Sequence, residues 1–147
     1  MRKVELREAT SEDAEQMFSW RNDPRTREHS FCSEPVSRET HVKWFNETTQ
    51  REDKCLMIGE IDNQPIGVLR FDNLDSVAQI SIYLVPELHG QGLGSCLLEA
   101  GCSWIQRHHP GTKKIQAHVV TKNSKSLKMF NKKGFFEVSR ILELDLS

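Results

Sequence analysis

The stretch "AQISIYLVPELHGQGLGS", residues 78–95, constrains the fold of this chain more than any other part of it. Its first half alternates, so that Ile80, Ile82 and Leu84 would share one face of a strand. Three glycines follow at alternate positions: Gly90, Gly92 and Gly94. Apolar residues then recur at helical spacing as far as His108. The stretch therefore predicts a strand, a tight glycine loop and a helix in succession.

A glycine loop between a strand and a helix is one way to build an anion site. The first N–H groups of the helix have no partner within it, and glycines let a phosphate approach the backbone closely. Two common phosphate loops do not fit, because Gly94 is followed by Ser95 where a P-loop needs Lys, and a dinucleotide pattern begun at Gly92 would put Leu97 at its third glycine. The alternative is a tight connection that binds nothing.

The remaining pattern predicts one domain, residues 1–147, of the α/β class and the α+β type. Its length suits a single hydrophobic core. Further strands are expected at 4–7, 55–62, 65–74, 114–120 and 135–146. Helices are expected at 10–20, 37–50, 92–108 and 123–133. We therefore expect a mixed, mostly antiparallel sheet of six or seven strands flanked by about four helices.

Composition excludes several classes of protein. No apolar run approaches the ~20 residues that a membrane helix needs. The opening "MRKVELREATSEDAEQ" is charged and lacks the apolar core of a signal peptide, so a cytoplasmic location is expected. The four cysteines have no CxxC spacing and are interpreted as reduced thiols, with no metal site expected: Cys32, Cys55, Cys96 and Cys102.

Positive charge is concentrated in one part of the chain. The formal net charge of −1 argues against a protein that binds nucleic acid over its whole surface. Seven lysines nevertheless lie between residues 111 and 134 without an acidic residue: Lys113, Lys114, Lys122, Lys125, Lys128, Lys132 and Lys133. This lysine block is either a solvated face or a site of attraction for an anion. Because only Phe130 interrupts it, it lacks the aromatic platforms of an RNA-binding surface.

Two segments carry a resemblance to a known family. "HGQGLG", preceded by "ISIYLVP", resembles the acetyl-CoA pyrophosphate loop of the GNAT superfamily of N-acetyltransferases. "NSKSLKMFNKKGF" is similar to a second pattern of that superfamily, with Asn123, Ser126, Gly134 and Phe135 in register. The resemblance covers essentially the whole chain. It implies acetyl-CoA as cofactor, direct attack by an amine in a ternary complex, and a sheet splayed between 78–85 and 114–120.

The resemblance also implies which residues bind the cofactor. They are Leu84, Val85, His89, Gly90, Gln91, Gly92, Leu93, Gly94, Ser95, Asn123, Ser126 and Phe130. Two of them depart from the pattern of the superfamily. His89 replaces the usual Arg or Gln, and Phe130 replaces a Tyr that protonates the departing thiolate in many relatives. Water, Ser126 or another side chain would then supply the proton, or the thiolate leaves unprotonated, since a thiol has a pKa of only ~8.5.

The general base has no obvious position in the sequence. Relatives often carry it near the start of the strand at 78–85, where Ala78 and Ile80 cannot accept a proton. His29 and His118 titrate in a suitable range, so they are candidate catalytic residues together with Ser126. The alternative for each histidine is an ordinary structural role.

The acceptor is expected to contact the amino-terminal half of the chain. The segment "WRNDPRTREHSFCSEPVSRETHVKWF", residues 20–45, resembles the acceptor region of bacterial sugar-nucleotide N-acetyltransferases of nonulosonic acid biosynthesis. This implies a UDP-linked 4-amino-4,6-dideoxy sugar as acceptor. The expected substrate-binding residues are Arg21, Asn22, Arg27 and His41, with Arg25 as a further diphosphate ligand and Trp44 or Phe71 covering a ring.

Other functions remain compatible with the sequence. An Arg-Asn-x-Pro turn also occurs in RimJ/RimL-type protein N-terminal acetyltransferases, which makes a peptide the second candidate acceptor. A non-catalytic acyl-CoA-binding module would account for Phe130 and for the missing base. We expect no nucleic-acid or membrane partner, and either a monomer or a homodimer.

Overall fold

The computed structural model describes residues 2–30 and 33–147, which contain one five-stranded sheet with helices on both faces. The strands are β1 (Glu5–Glu8), β2 (Cys55–Ile61), β3 (Gln64–Asp72), β4 (Val77–Leu84) and β5 (Lys114–Ala117). The helices are α1 (Ala14–Asn22), α2 (Pro24–Arg27), α3 (Arg38–Thr49), α4 (Leu93–His108) and α5 (Ser124–Lys133). The strands lie in chain order, β1 to β4 antiparallel and β5 parallel to β4. The expectation of a mixed, mostly antiparallel sheet is confirmed.

The turn between β2 and β3 lies at Asp62 and Asn63, one residue earlier than the expected strands at 55–62 and 65–74 imply. Asp62 and Asn63 both have a positive φ, 51° and 64°. Short polar side chains of this kind tolerate the left-handed conformation that a two-residue hairpin requires. The turn fixes the register of β3 against β2, and therefore also which side chains of β3 face each layer of helices.

One face of the sheet packs against α4 and α5. The buried core there includes Leu69, Phe71, Ile80, Leu97, Leu98, Ile105 and Phe130. Helix α4 lies close to β3 because Gly101 has no side chain: a Cβ at Gly101 would be 2.4 Å from Cδ1 of Leu69. The first turn of α4, which follows the glycine loop, is therefore held at a fixed height above the sheet.

The opposite face packs against α1 and α3. Its buried residues are Met17, Trp20, Phe45, Leu56, Ile58 and Val68. The chain enters α1 through a 3-10 turn, Ser11–Asp13, in which the Asp13 carboxylate accepts a hydrogen bond of 2.8 Å from the Thr10 N–H. Phe71, expected as a possible cover for the acceptor, instead has no exposed surface and stacks on Trp104 in the α4 layer.

The segment expected as a simple turn after α1 contains a further helix. Pro24 occupies the first position of α2, where its missing N–H costs nothing. The Asp23 carboxylate caps this helix by accepting a 2.8 Å hydrogen bond from the Arg25 N–H. The described residues therefore contain five helices, where the sequence predicted about four.

The strand count is corrected downward from six or seven to five. Residues 135–146 form no strand, and β5 ends at Ala117 instead of Val120. The apolar side chains of the expected last strand are exposed, among them Phe136 by 80% and Leu142 by 91%. Alternation predicts which face of a strand is apolar, but a strand also needs a neighbouring edge, and this segment has none within the described chain.

Strands β4 and β5 pair over only half of β4. The register joins Val77–Ile80 to Lys114–Ala117. Beyond that point β4 continues from Ser81 to Leu84 with no described strand beside it on the β5 side. The expected splay between these two segments is confirmed.

Candidate active site

A cleft of about 710 Å³ lies where β4 separates from β5. One half is lined by the end of β4, the glycine loop and α5, and the other half by side chains from α1, α2 and α3. The two halves meet along β4. A ligand in the first half would therefore reach a second ligand in the other half at the open part of this strand.

The glycine loop has the backbone conformation of an anion site. Gly90 and Gly92 have φ values of 82° and 76°, which side-chain-bearing residues rarely adopt. Gly92 is also the residue before α4, and no side chain caps the helix there. The N–H groups of its first turn are thus left for a ligand, at the positive end of a helix of 16 residues.

The open part of β4 offers backbone groups in one direction only. Val85 N–H donates to the Ile66 carbonyl of β3 with a length of 2.9 Å. Because successive N–H groups of a strand alternate, Leu84 N–H points to the other side, into the gap left by β5. Of the two cofactor-binding residues expected here, Leu84 therefore offers its N–H to the gap, whereas the Val85 N–H is used within the sheet.

Helix α5 closes the other side of the gap. The side-chain amide oxygen Oδ1 of Asn123 accepts a 3.1 Å hydrogen bond from the Ser126 N–H, which caps the helix. The Asn-x-x-Ser part of the motif thus has a structural role, and the Ser126 hydroxyl lies on the cleft wall. Phe130 is only 7% exposed, and its ring meets the Phe135 ring edge-on with 5.0 Å between the ring centres. It has no proton to offer to the cleft.

Most of the residues predicted for the site line this cleft. Those that do so are Arg21, His29, His41, Leu84, His89, Gly90, Gly92, Gly94, Ser95, His118, Asn123, Ser126 and Phe130. Val85, Gln91 and Leu93 do not; Leu93 is a core residue with 2% exposure. These three stay in the neighbourhood of the loop without facing the cleft.

Asn22 and Arg27 correct the expected acceptor site. The side-chain amide of Asn22 donates a hydrogen bond of 2.7 Å to the Val36 carbonyl and accepts one of 2.8 Å from the Val36 N–H. Arg27 donates to the Asn22 carbonyl and to the Ser33 carbonyl, at 2.9 and 3.0 Å. Their polar groups hold the segment between α2 and α3 in place, so we leave both residues out of the acceptor site.

The half of the cleft that is lined by α1, α2 and α3, here called the acceptor half, contains two arginines. Nη1 of Arg21 is buried and has no hydrogen-bond partner. Arg70, from β3, donates to the Asp72 carboxylate at 3.0 and 3.1 Å, and its guanidinium lies 5.6 Å from the centre of the Trp44 ring. Tyr83 lines the same half, and burial raises its pKa above the ordinary value, so the phenol is neutral. These groups form a cationic floor beside two aromatic rings.

Sequence reasoning missed Arg70 and Tyr83. The available signal was pairing across strands, because Arg70 lies opposite Ser81, and Ser81 shares a strand face with Tyr83. Without the register, a charged residue inside an apolar strand gives no indication of which wall it faces. Asp72 then fixes the direction of Arg70. Asp72 is only 8% exposed, and its carboxylate also accepts a hydrogen bond of 3.0 Å from Lys54.

Three of the four histidines of the prediction, His29, His41 and His118, differ in environment. His41 is 3% exposed, and its Nε2 lies 3.1 Å from the Ala14 carbonyl, which can only accept, so the proton is on Nε2. Burial lowers the pKa of His41, which keeps the ring neutral. His29 and His118 are exposed on the cleft wall. The structure thus gives His41 a structural hydrogen bond and leaves the roles of the other two as predictions.

The charge of the cleft has one sign. Its charged side chains are Arg21, Arg25, Arg70 and Lys125. Among the described residues that line it, none is Asp or Glu. Arg25 is ion-paired with Asp23 and Glu87, and Arg70 with Asp72, so Arg21 and Lys125 are the lining cations without an ion pair among the described residues. These two charges favour a ligand that carries phosphate or carboxylate groups over a polycation.

Comparison with known proteins agrees with this geometry. A family model described as acetyltransferase (GNAT) domain matches residues 3–136. The chain belongs to the GNAT acetyltransferase family. It is similar to the Bacillus subtilis protein YwnH, whose name describes a phosphinothricin acetyltransferase, with 30% identity over 71% of this chain and 66% of that protein. It is also similar to the acetyltransferase PseH of Campylobacter jejuni, with 25% identity over 87% of this chain and 80% of that protein.

Not all relatives have the same length. The GNAT chain described here spans 66% of YwnH and only 28% of a protein from Methanocaldococcus jannaschii to which it is 25% identical. Solved structures share the fold at lower identity. Spermidine N-acetyltransferase of Vibrio cholerae, solved with CoA and spermine, has a TM-score of 0.86 at 20% identity over 97% of this chain and 86% of that chain. The structure of PseH has a TM-score of 0.72 at 20% identity over 94% of this chain and 91% of that chain.

Residues 2–30 and 33–147 contain neither a membrane-spanning helix nor a cluster of metal ligands. No helix in this part of the chain is long and apolar enough to cross a bilayer. It also contains no group of three or more His, Cys, Asp or Glu side chains that could hold a metal ion. The described cysteines, Cys55, Cys96 and Cys102, are free thiols, and Cys32 lies outside the described residues.

Proposed function

We propose that this GNAT domain transfers the acetyl group of acetyl-CoA to an amine that also carries negative charge. The first candidate acceptor is a UDP-linked 4-amino-4,6-dideoxy sugar. The observation that carries the proposal is the buried, unpartnered Nη1 of Arg21 in a cleft wall without carboxylates. A guanidinium N–H left without a partner away from water is costly, and an oxygen of a phosphate would satisfy it.

The residues of the other half fit acetyl-CoA. Left-handed glycines and the uncapped start of α4 suit its pyrophosphate, and the unpaired part of β4 suits the amide groups of its pantetheine arm. When bound, acetyl-CoA supplies the thioester carbonyl that the amine attacks. Leu84 N–H is the backbone donor directed into this gap, so it would stabilise negative charge on the carbonyl oxygen.

Proton transfer would use few groups, because the described lining has no carboxylate. The candidate bases are therefore His29 and His118, which accept the proton of the amine directly or through water. Tyr83 is neutral and can donate only, and Phe130 can do neither. We infer that the thiolate leaves either unprotonated or with a proton from Ser126 or water, which its ordinary pKa of ~8.5 permits.

A polyamine and a nucleotide sugar make opposite demands on the charge of the cleft. An acceptor such as spermine carries several positive charges, which Arg21 and Lys125 would repel. A nucleotide sugar carries a diphosphate, and Trp44 offers an apolar ring beside Arg70.

The test is release of CoA thiol with matched acceptors. The UDP-linked amino sugar is compared with the same amino sugar without its nucleotide, with spermidine, and with a peptide that has a free amino terminus. We expect the UDP-linked sugar to have the highest kcat/KM. Turnover of spermidine in preference to it would refute the anionic acceptor, and turnover of the peptide alone would favour the RimJ/RimL-type function.

Arg21 is tested by substitution. Because a hydrogen bond to a charged group contributes about 1.5–3 kcal/mol, Arg21→Ala should raise the acceptor KM by roughly 10- to 100-fold. The KM for acetyl-CoA should not change. Arg51→Ala is the matched control, since Arg51 is exposed, pairs with Asp53 and does not line the cleft. Equal KM values for the two variants would exclude Arg21 from acceptor binding.

A further inference from the structure

Residues 135–147 present a large apolar surface to water. This exposed segment contains six large apolar side chains that are each at least 69% exposed: Phe136, Val138, Ile141, Leu142, Leu144 and Leu146. Five of the six stand at even positions, so they would share one face of an extended strand. Scattered exposed leucines are ordinary, but a row of this size, interrupted at Arg140, indicates an interaction surface.

The segment leaves the body of the domain at a fixed point. Gly134 ends α5 with a φ of 114°, and Phe135 N–H donates 3.0 Å to the Phe130 carbonyl. Lys133 is ion-paired to Glu99 of α4. Beyond Phe135 the described hydrogen bonds of the segment are local, between Arg140 and Glu137 and within 145–147. The exposed course of the segment therefore does not result from a loosely held α5.

The sheet has an open edge that matches the segment. Strand β5 is the last of the sheet and pairs only with β4, so its outer N–H and C=O groups have no strand partner in the described chain. Such an edge is a template for a further strand. Charge is complementary as well, because β5 begins beside Lys113 and Lys114, while the segment carries Glu137, Glu143 and Asp145 at odd positions.

We propose that the exposed segment of one copy adds as a strand to the β5 edge of a second copy, and that the exchange is reciprocal. Each copy has one open edge and one unpaired segment, so a two-fold axis satisfies both pairs at once and closes the assembly. Strand β5 offers only four residues, and the rest of the longer segment can pair with its own symmetry mate. The six apolar side chains present on the order of 800 Å² per copy, which is the area that a stable interface requires.

The lysine block then has a use that is independent of acetyl transfer. Its first members, Lys113 and Lys114, flank the edge that receives the acidic odd-numbered face of the partner segment. The dimer does not depend on which amine the domain acetylates. Failure of every acceptor assay would therefore leave this proposal unaffected, and a monomer would leave the proposed function unaffected.

The first experiment measures mass by light scattering coupled to gel filtration over a wide range of concentration. We expect a particle of twice the 17.0 kDa chain. Leu142→Arg should weaken the dimer by roughly tenfold or more, because it places a charge in the apolar row. Ser139→Arg, on the opposite face of the same segment, is the matched control and should remain dimeric. A monomeric wild type, or a dimer that survives Leu142→Arg, would overturn the proposal.

The second experiment locates the interface by hydrogen exchange. In the dimer the amides of 114–117 and 136–146 should exchange slowly, and in Leu142→Arg both sets should lose protection together. Acetyl-CoA binding and the far-ultraviolet circular dichroism of the variant show that the domain itself is still folded. A dimer whose β5 amides exchange no more slowly than in Leu142→Arg would refute pairing at this edge.

Discussion

Substitution of Gly92 tests whether the loop before α4 is held in a left-handed conformation. Gly92 has a φ of 76°, and a Cβ built there meets no atom within 4 Å. Added bulk therefore causes no collision, and the only penalty is the backbone conformation itself. For an alanine this penalty is about 1–2 kcal/mol, so Gly92→Ala should lower the free energy of unfolding by that amount.

The loss of stability in Gly92→Ala can be measured as a shift in melting temperature. In a domain of this length each 1 kcal/mol shifts Tm by about 2–4 °C, so Gly92→Ala should melt about 2–8 °C below the wild type. Gly92→Asn should lose less, because asparagine tolerates the left-handed region, and Gly92→Val should lose more, because a β-branched residue does not. Thermal unfolding followed by circular dichroism gives this order directly.

The same series should separate stability from acetyl-CoA binding. Gly92→Val should bind acetyl-CoA poorly while the domain remains folded, since the strain is relieved by moving the loop. Gly94 is the contrasting position: it lies within α4, and a Cβ there is 3.0 Å from Sδ of Met129, so Gly94→Val disturbs the packing of α4 on α5 instead. Identical Tm values for the wild type and for the Gly92 alanine and asparagine variants would refute the strained loop. Unchanged acetyl-CoA affinity in Gly92→Val would refute its role in binding.

Three further changes have defined outcomes. Asp72→Asn should raise the acceptor KM and leave the KM for acetyl-CoA unchanged, because Arg70 loses the carboxylate that directs it into the cleft; steady-state kinetics with an equal rise in both constants would contradict this. Burial lowers the pKa of His41, so the unfolded state binds the proton first, and stability should fall as pH drops below about 6.5. Urea unfolding at pH 7.5 and 5.5 should show that the free energy of unfolding falls less between these two pH values in His41→Gln than in the wild type. Gly101→Ala should cost about 1–3 kcal/mol by denaturant unfolding, because its Cβ would lie 2.4 Å from Cδ1 of Leu69 in a filled core.

The parts of the fold that depend on local chemistry were predictable from the sequence. The glycine loop and the Asp62–Asn63 turn need left-handed backbone, and only a few residue types supply it cheaply. The order of strands and helices followed from the change in apolar period. The splay at the end of β4 came from the family resemblance, and the pairing of β4 with β5 confirms it.

The parts that depend on distant partners were not predictable. Asn22 and Arg27 carry the groups expected of acceptor ligands, yet both are satisfied by backbone carbonyls of the segment before α3. Arg70 gives no signal until the β3–β4 register places it opposite Ser81. Residues 135–146 have a clear strand pattern, but periodicity does not specify which chain provides the neighbouring edge.

The alternation along the end of β4 has a consequence for how the domain can evolve. On this strand the peptide group of Leu84 faces the cofactor gap, whereas the side chains of Ser81 and Tyr83 face the acceptor half. Substitutions at 81 and 83 therefore change the chemistry offered to the acceptor without altering the backbone that serves the thioester. On the proposed function, one strand serves the donor with its main chain and the acceptor with its side chains, so a substitution on that face can change the acceptor while the donor stays the same.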